Sequence, residues 1–435
     1  MSGHRPDSVL RVRGGRELNG RIPIGGSKNA SLPILTACLL TSERVRIRNL
    51  ADVTDTQAML DILRAIGCEV EAGGTTVAIK ATSATGDVPV DLAGRMRASI
   101  VLLGPLLART GQVRLPMPGG DAIGRRRIEL HLNGLWRMGA EVEEREQAII
   151  ASARRLRGAR IVFDMPTVTG TENVMMAAVL AEGRTEVLNA AREPHVQDLA
   201  RFLTRLGARI EGAGTEHLVI DGVDQLGAGE HTVTSDYLEA GTYAMAVGAT
   251  GGEAELEAAP AADLDVPLLK LQQAGIEVEA TDRRLRVARR REIGSVDLIT
   301  WVHPGFATDL QPQYMALMSQ ARGRSVISEY IFENRFQHVG ELRRMGAEIE
   351  QLDGRTAVVH GPRRLRGSEV AVPDIRSGAA LVIAALCAEG ESTIHHPWHV
   401  DRGYPDLVGK LASLGADISR ETAAVARPAQ PGHDE

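Results

Sequence analysis

Hydrophobic and polar positions along the chain repeat one phrase: a helix-patterned run, a glycine, a small residue, then a short alternating stretch. It occurs as Leu63-Arg64-Ala65-Ile66-Gly67-Cys68-Glu69-Val70 and as Leu135-Trp136-Arg137-Met138-Gly139-Ala140-Glu141-Val142. It returns as Leu203-Thr204-Arg205-Leu206-Gly207-Ala208-Arg209-Ile210 and, more loosely, as Leu271-Gln272-Gln273-Ala274-Gly275-Ile276-Glu277-Val278. Leu342-Arg343-Arg344-Met345-Gly346-Ala347-Glu348-Ile349 and Leu411-Ala412-Ser413-Leu414-Gly415-Ala416-Asp417-Ile418 complete the set. Such a glycine closes a helix in the left-handed conformation, and the period-2 stretch after it predicts a strand. The period is roughly 70 residues, longer than a solenoid repeat. Between the phrases, residues 30–40, 96–108, 173–181, 240–248 and 378–387 are apolar on nearly all faces, which predicts buried helices. A unit of strands with two helices buries its own face only against its copies, so six copies predict two domains of three.

Composition narrows the class. The 435 residues exceed one ordinary core, and 43% hydrophobic with 24% charged residues describes a globular protein rather than a disordered one. The longest apolar runs are far short of a membrane span and residues 1–13 form no apolar signal core, so a cytoplasmic protein without a membrane partner is expected. A net charge of −6 argues against a nucleic-acid partner. Cys38, Cys68 and Cys387 lie in apolar segments without metal-type spacing, which predicts reduced core residues and no metal site. Residues 1–6 and 427–435 are expected as unpacked tails.

Two stretches carry candidate chemistry. Residues 117–131 set Pro118, Gly119, Gly120 and Gly124 around Asp121 and follow them with Arg125, Arg126 and Arg127. A mobile loop then holds one carboxyl group beside concentrated positive charge, suited to an anionic substrate and a proton donor. The same pattern also fits a surface turn before a solvated basic helix start. Lys28 is the other: with only four lysines among 50 basic residues, an ammonium in Gly25-Gly26-Ser27-Lys28-Asn29 stands out against the arginine bias.

Six motifs in order connect these stretches: Gly25-Gly26-Ser27-Lys28-Asn29-Ala30, Arg95-Met96-Arg97-Ala98-Ser99, Pro118-Gly119-Gly120-Asp121-Ala122-Ile123-Gly124, Asn189-Ala190-Ala191-Arg192-Glu193-Pro194, Phe332-Glu333-Asn334-Arg335-Phe336 and Asp401-Arg402-Gly403-Tyr404. On these residues the chain resembles the UDP-N-acetylglucosamine 1-carboxyvinyltransferases, enolpyruvyl transferases of peptidoglycan precursor synthesis, over nearly its whole length. The related shikimate-pathway transferase shares the architecture but has a different glycine-rich signature. The resemblance implies an α/β fold of two inside-out, barrel-like domains, each with three βαβαββ units around buried helices. It places residues 1–27 with 235–435 in one domain and 28–234 in the other, with the cleft between them and helix N-termini directed at it. Closure of the Asp121 loop would exclude water.

The implied reaction joins phosphoenolpyruvate to the 3-hydroxyl of UDP-N-acetylglucosamine and releases phosphate by addition and elimination, with no metal or organic cofactor. The resemblance implies that Lys28 and Arg126 hold the phosphate, that Arg335 and Arg402 hold the carboxylate side, and that Arg97 and Arg376 support the cluster. Asp309 would take the hydroxyl proton, although Thr308-Asp309 alone also reads as a helix N-cap. Asn29, Arg127, Ile128, Glu129, Leu130, Thr167, Val168, Thr169 and Phe332 would recognise the sugar nucleotide. Asp236 and Glu239 lie beside the second inter-domain crossing, where each fits either an ordering contact or a solvated strand-end acid.

Departures from the family pattern carry consequences. Most members have cysteine where this chain has Asp121. A free aspartate at its ordinary pKa of about 3.9 is ionised near neutrality, and protonating it costs roughly 4 kcal/mol. Activity favouring mildly acidic pH is therefore expected, together with insensitivity to fosfomycin, which alkylates the family's thiolate. Arg127 replaces the usual proline, Glu129 an aspartate and Tyr237 a common arginine. These changes leave two other readings open: a secondary-metabolism enolpyruvyl transferase acting on another nucleotide or nucleoside, and a silent nucleotide-sugar-binding paralogue. The sequence sets no oligomeric state.

Overall fold

The computed structural model describes residues 8–422, so the expected tails lie outside the described residues. All six phrase glycines adopt positive φ: Gly67 at 101°, Gly139 at 89°, Gly207 at 109°, Gly275 at 94°, Gly346 at 98° and Gly415 at 96°. A β-carbon would be strained in that region, so each helix stops there and reverses into a strand. The strands that follow are Glu69–Gly73, Glu141–Arg145, Arg209–Glu211, Glu277–Thr281, Glu348–Gln351 and Asp417–Thr422, and each forms one edge of its sheet. Their outward glutamates, arginines and aspartates discourage edge-to-edge pairing.

The described residues form six small sheets, five of four strands and one of three. One unit, Arg160–Val162, helix Val168–Ala178, Arg184–Leu188, helix Pro194–Arg205, Arg209–Glu211 and His217–Asp221, displays the βαβαββ order without interruption. Arg160–Val162 pairs parallel to Arg184–Leu188, and the remaining pairs are antiparallel. In the three-stranded sheet an isolated parallel bridge from Asp87 to Arg114 stands where the others have a full strand. No closed barrel forms among the described residues.

Helices occupy the interior. We label six of them: α1 (Lys28–Ala37), α2 (Leu103–Thr110), α3 (Val168–Ala178), α4 (Tyr237–Thr250), α5 (Gln311–Met318) and α6 (Ile375–Cys387). Helices α4, α5 and α6 pack on one another, while α3 packs on α2 and on the 3-10 turn Arg97–Leu102, which also touches α1. The expected buried helices are thus found, and α5, which the pattern did not predict, joins them. Its first turn contains Gln311 and Gln313, both fully buried. Gln313 Nε2 lies within donating distance of Thr242 Oγ1 at 3.1 Å, Tyr404 Oη at 2.9 Å and the Asp309 carbonyl at 3.0 Å, so the amide nitrogen of an apparently solvated residue is paired inside, while its Oε1 has no partner.

Two hydrophobic cores result. One contains Leu10, Val12, Leu18 and Ile22 together with residues from Tyr237 to Ile418; the other runs from Ala30 to Val233. The N-terminal strand Ser8–Arg13 lies between Glu391–His395 and Asp417–Thr422, antiparallel to both, and Leu18–Pro23 pairs parallel to Gly252–Glu257. The chain then crosses to the other lobe and later returns beside its outward path. There Gly26 bridges Ser235, Ser27 N–H donates to the Thr234 carbonyl at 2.8 Å, and Asp236 N–H donates to the Gly25 carbonyl at 2.9 Å. Asp236 also caps α4 and accepts Lys28 N–H at 3.1 Å. Glu239, fully buried, accepts Gly25 N–H at 2.8 Å and pairs with Lys410 Nζ at 2.5 Å. Both acids are therefore ordering contacts rather than solvated ends.

Candidate active site

Residues at the starts of the central helices meet between the two cores. Lys28 opens α1 behind its cap Ser27, Arg97 opens the 3-10 turn before α2, Asp309 precedes α5, and Arg376 lies in the first turn of α6 behind its cap Asp374. Helix N-termini contribute partial positive charge, so the cluster is cationic by backbone as well as by side chain.

A chain of ion pairs runs through it. Lys28 Nζ lies 2.8 Å from Asp55 Oδ2, and Arg402 Nε lies 3.0 Å from Asp55 Oδ1. Arg402 Nη1 reaches Asp121 Oδ1 at 2.6 Å. Burial alone would raise the Asp55 pKa, but Lys28 and Arg402 outweigh it and hold the carboxyl below its usual range. Across the cleft, Asp309 receives Arg376 Nε at 3.0 Å and Arg335 Nη2 at 3.4 Å. Burial again opposes ionisation, and the two guanidiniums overcome it, holding Asp309 down at about 2. Arg335 Nη1 pairs with Asp374 at 3.2 Å and Nε donates to the Thr308 carbonyl at 3.4 Å.

The donor inventory separates the arginines. Arg335 is 1% exposed and engages a partner with Nε, Nη1 and Nη2. Arg126 Nε and Arg376 Nη1, by contrast, are buried without a hydrogen-bond partner. A buried cationic donor without an acceptor is costly unless a ligand completes it. Arg376 also lies 5.1 Å over the Tyr404 ring, and Arg126 5.8 Å over the Phe332 ring. Arg97 Nη2 donates to the Arg126 carbonyl, fixing the backbone of the loop arginine itself.

The loop from Met117 to Ile128 is docked on the opposite lobe. Asn334 N–H donates to the Ile123 carbonyl at 3.1 Å, and the Ala122 carbonyl accepts from Asn334 Nδ2 at 2.8 Å and Gln337 Nε2 at 2.6 Å. Arg125 N–H donates to Glu333 Oε2 at 3.1 Å. Gly120 has φ of 111°, and a β-carbon on it would meet Arg97 Cβ at 2.7 Å, so glycine is required beside Asp121.

Lys28, Arg97, Asp121, Arg126, Asp309, Phe332, Arg335, Arg376 and Arg402 thus come together, while the other expected residues flank them. His131, which the sequence reading left without a role, joins two flanking segments. Its ring contacts Thr169 Oγ1 at 3.1 Å and Asn173 Nδ2 at 2.8 Å, and burial with Arg97 nearby lowers its pKa to about 3. Thr167 caps α3 and accepts Gly170 N–H at 3.3 Å, with Val168 opening the helix. Ile128 is 6% exposed and packs into the core, so its side chain anchors the segment; Arg127 and Glu129 are exposed, Asn29 and Leu130 half-buried. Tyr237 is likewise a core residue.

Sequence reasoning missed Asp55, whose partner Arg402 is 347 residues away, and no local signal marks it. Asp374 was legible as an Asp cap before an apolar run. Glu333 and Asn334 stood inside a recognised motif without an assigned contact.

The family described as EPSP synthase (3-phosphoshikimate 1-carboxyvinyltransferase) matches residues 12–411. A UDP-N-acetylglucosamine 1-carboxyvinyltransferase of Sorangium cellulosum is 48% identical over 414 residues, 94% of this chain and 98% of the relative. The chain belongs to the UDP-N-acetylglucosamine 1-carboxyvinyltransferase family. Relatives carrying that name in Symbiobacterium thermophilum (48% identical; 96% of each chain) and Myxococcus xanthus (46%; 95% of this chain, 99% of the relative) extend the likeness. Among solved structures, the enolpyruvyl transferase NikO from Streptomyces tendae is similar at a TM-score of 0.87 and 27% identity, covering 96% of this chain and 99% of that one. EPSP synthase from Acinetobacter baumannii, at 0.73 and 18% identity over 95% of this chain and 99% of that one, shares the fold. UDP-N-acetylglucosamine 1-carboxyvinyltransferase family membership accords with the mixed α/β architecture. Among the described residues no helix is long and apolar enough to cross a membrane.

Proposed function

We propose that this protein transfers the enolpyruvyl group of phosphoenolpyruvate to the 3-hydroxyl of UDP-N-acetylglucosamine and releases phosphate, the first committed step of peptidoglycan precursor synthesis. The cytoplasm, where these precursors are water-soluble nucleotides, is the compartment this reading requires. The supporting observation is the inter-lobe cluster in which Lys28, Arg126, Arg376 and Arg402 surround Asp121 and Asp309. We take residues 1–27 with 235–435 and residues 28–234 as two domains that close on the substrates.

Arg126 and Arg376, which retain buried unpartnered donors, take the phosphate and the carboxylate respectively; Lys28 and Arg402, the latter placed at the carboxylate by the resemblance, join the phosphate by exchanging their contacts with Asp55 and Asp121 for it. Arg335, with its donors engaged, positions Asp309 rather than substrate; Arg97 steadies the loop. In the addition step the sugar hydroxyl attacks C2 of phosphoenolpyruvate while its proton passes to Asp309, and Asp121, protonated, delivers a proton to C3. A carboxylate held at about 2 is a weak base, so transfer to Asp309 accompanies attack, as the hydroxyl becomes acidic. In the elimination step Asp121 takes a proton back from the new methyl group, and the C2–O bond breaks with phosphate leaving on the proton from Asp309. Anions arriving at Arg402 compete with Asp121 for the guanidinium.

Phosphate release from phosphoenolpyruvate with and without UDP-N-acetylglucosamine tests this reading. Release that requires the sugar nucleotide is expected. The exposed Arg127 and Glu129 and the NikO likeness define the second reading, and release with UMP but not with the sugar nucleotide would establish it instead. Sugar-nucleotide binding without any release would point to a silent paralogue.

A further inference from the structure

Asp121 lies 2.6 Å from the Arg402 guanidinium, and the proposed chemistry begins with that carboxyl protonated. Two guanidiniums and one imidazole surround it: Arg402, Arg126 and His399. Arginines keep their protons at any physiological pH, whereas an imidazole exchanges one near neutrality. His399 sits in the short helix Trp398–Asp401, next to the arginine that grips Asp121. Its Nδ1 faces Asp121 Oδ1 at 3.9 Å, and that nitrogen is buried with no hydrogen-bond partner. The ring is held against Trp398, with centroids 3.6 Å apart and planes 34° from parallel. A buried ring nitrogen without a partner, 3.9 Å from a carboxylate on a docking loop, is placed to exchange a proton with it once the gap closes.

We propose that His399 supplies the proton that turns Asp121 into the acid when the loop docks, acting on the reaction through Asp121. This rests on reading Asp121 as the group that protonates C3. In the step, the Nδ1–H bond of an imidazolium breaks and an O–H bond forms on Asp121, converting imidazolium and carboxylate into neutral imidazole and carboxylic acid. Elimination returns a proton from the methyl group to Asp121, so the transfer is needed once per closure and reverses when the loop opens. The charges around the ring suit a donor. Burial lowers the His399 pKa below its ordinary value, assisted by Arg402 and His396, while Asp121 and Asp374 oppose the shift.

The test compares wild type, H399N, H399Q and D121N in kcat/KM for phosphate release from pH 5 to 8.5, with and without added imidazole. The expected result is that wild-type kcat/KM falls through the alkaline limb and that both His399 variants lose roughly tenfold or more at neutral pH. They should recover towards pH 5, where Asp121 takes its proton from solvent, and imidazole should restore part of the neutral rate. His399 variants within twofold of wild type with an unchanged profile, beside an inactive D121N, would overturn the relay and leave the Asp121 assignment standing. A D121N enzyme as active as wild type would overturn that assignment and the relay with it.

Discussion

Two aspartates serve the proposed reaction from opposite sides of the cleft, and they are held in opposite ways. Asp309 is gripped by Arg335 and Arg376, all three in the lobe whose core holds Tyr237 to Ile418. Asp121 rides a loop of the other lobe, and its guanidinium partner Arg402 belongs to the opposite side. The base is therefore prearranged within one core, whereas the acid is completed only by docking. Substitutions at Asp309 should affect both fold and chemistry, while those at Asp121 should affect chemistry far more than fold.

The largest effect should come from removing either carboxylate. D121N and D309N should each lower kcat by roughly 10²–10⁴-fold, the range for a general acid or base. Thermal unfolding then separates them. D121N should be destabilised less than D309N, because Arg402 keeps its Asp55 partner, whereas D309N should lose less than the roughly 3–5 kcal/mol of a fully buried pair, because the Asp309 side chain is 27% exposed. Equal stability of the two variants would break the contrast.

Fosfomycin probes the same loop. Wild type should remain unlabelled by mass spectrometry, since a carboxylate opens the epoxide poorly, and D121C should become covalently modified. Labelling of Asp121 itself would contradict this.

Stability measurements sharpen the comparison next. R335L leaves Asp374, 2% exposed, without its cation, and should cost about 3–5 kcal/mol in chemical denaturation. A smaller loss would mean that Asp374 is satisfied by Ser377 and the α6 backbone alone.

A milder effect follows from pH. His131 and His195 are buried with pKa values lowered from 6.5 to about 3 and about 4, chiefly by burial. Because the unfolded histidines bind protons first, their contribution is full above pH about 6.5 and is lost as pH falls, at up to about 1.4 kcal/mol per unit for each. Glu239, raised by burial from 4.5 to about 7, acts in the reverse direction, its contribution fading as pH rises through 7. The net expectation is a lower melting temperature at pH 5 than at pH 6.5, and a smaller difference in H131N. The smallest effect belongs to the docking contacts: N334A should raise KM for phosphoenolpyruvate a few-fold with little change in stability, read from initial rates.

The fold was more legible than the site for a physical reason. A glycine closing a helix is a local event, so Gly67, Gly139, Gly207, Gly275, Gly346 and Gly415 could be read from their neighbours, and all six behave alike. Helix α5 escaped because buried Gln311 and Gln313 imitate a solvated turn until their partners are known. The site depends on encounters across the sequence. Asp55 between Lys28 and Arg402, and His399 against Asp121, became visible only when the two lobes met. Resemblance supplied Arg335 as a substrate ligand, whereas its engaged donors favour a positioning role.

Deuterium entry at C3 of phosphoenolpyruvate tests the division of labour most directly. In D₂O with UDP-N-acetylglucosamine present, wild type should place deuterium on the vinyl carbon through reversible protonation, and D121N should place none while still binding both substrates. Wild-type deuterium incorporation by D121N would contradict the assignment of Asp121 as the acid that docking completes.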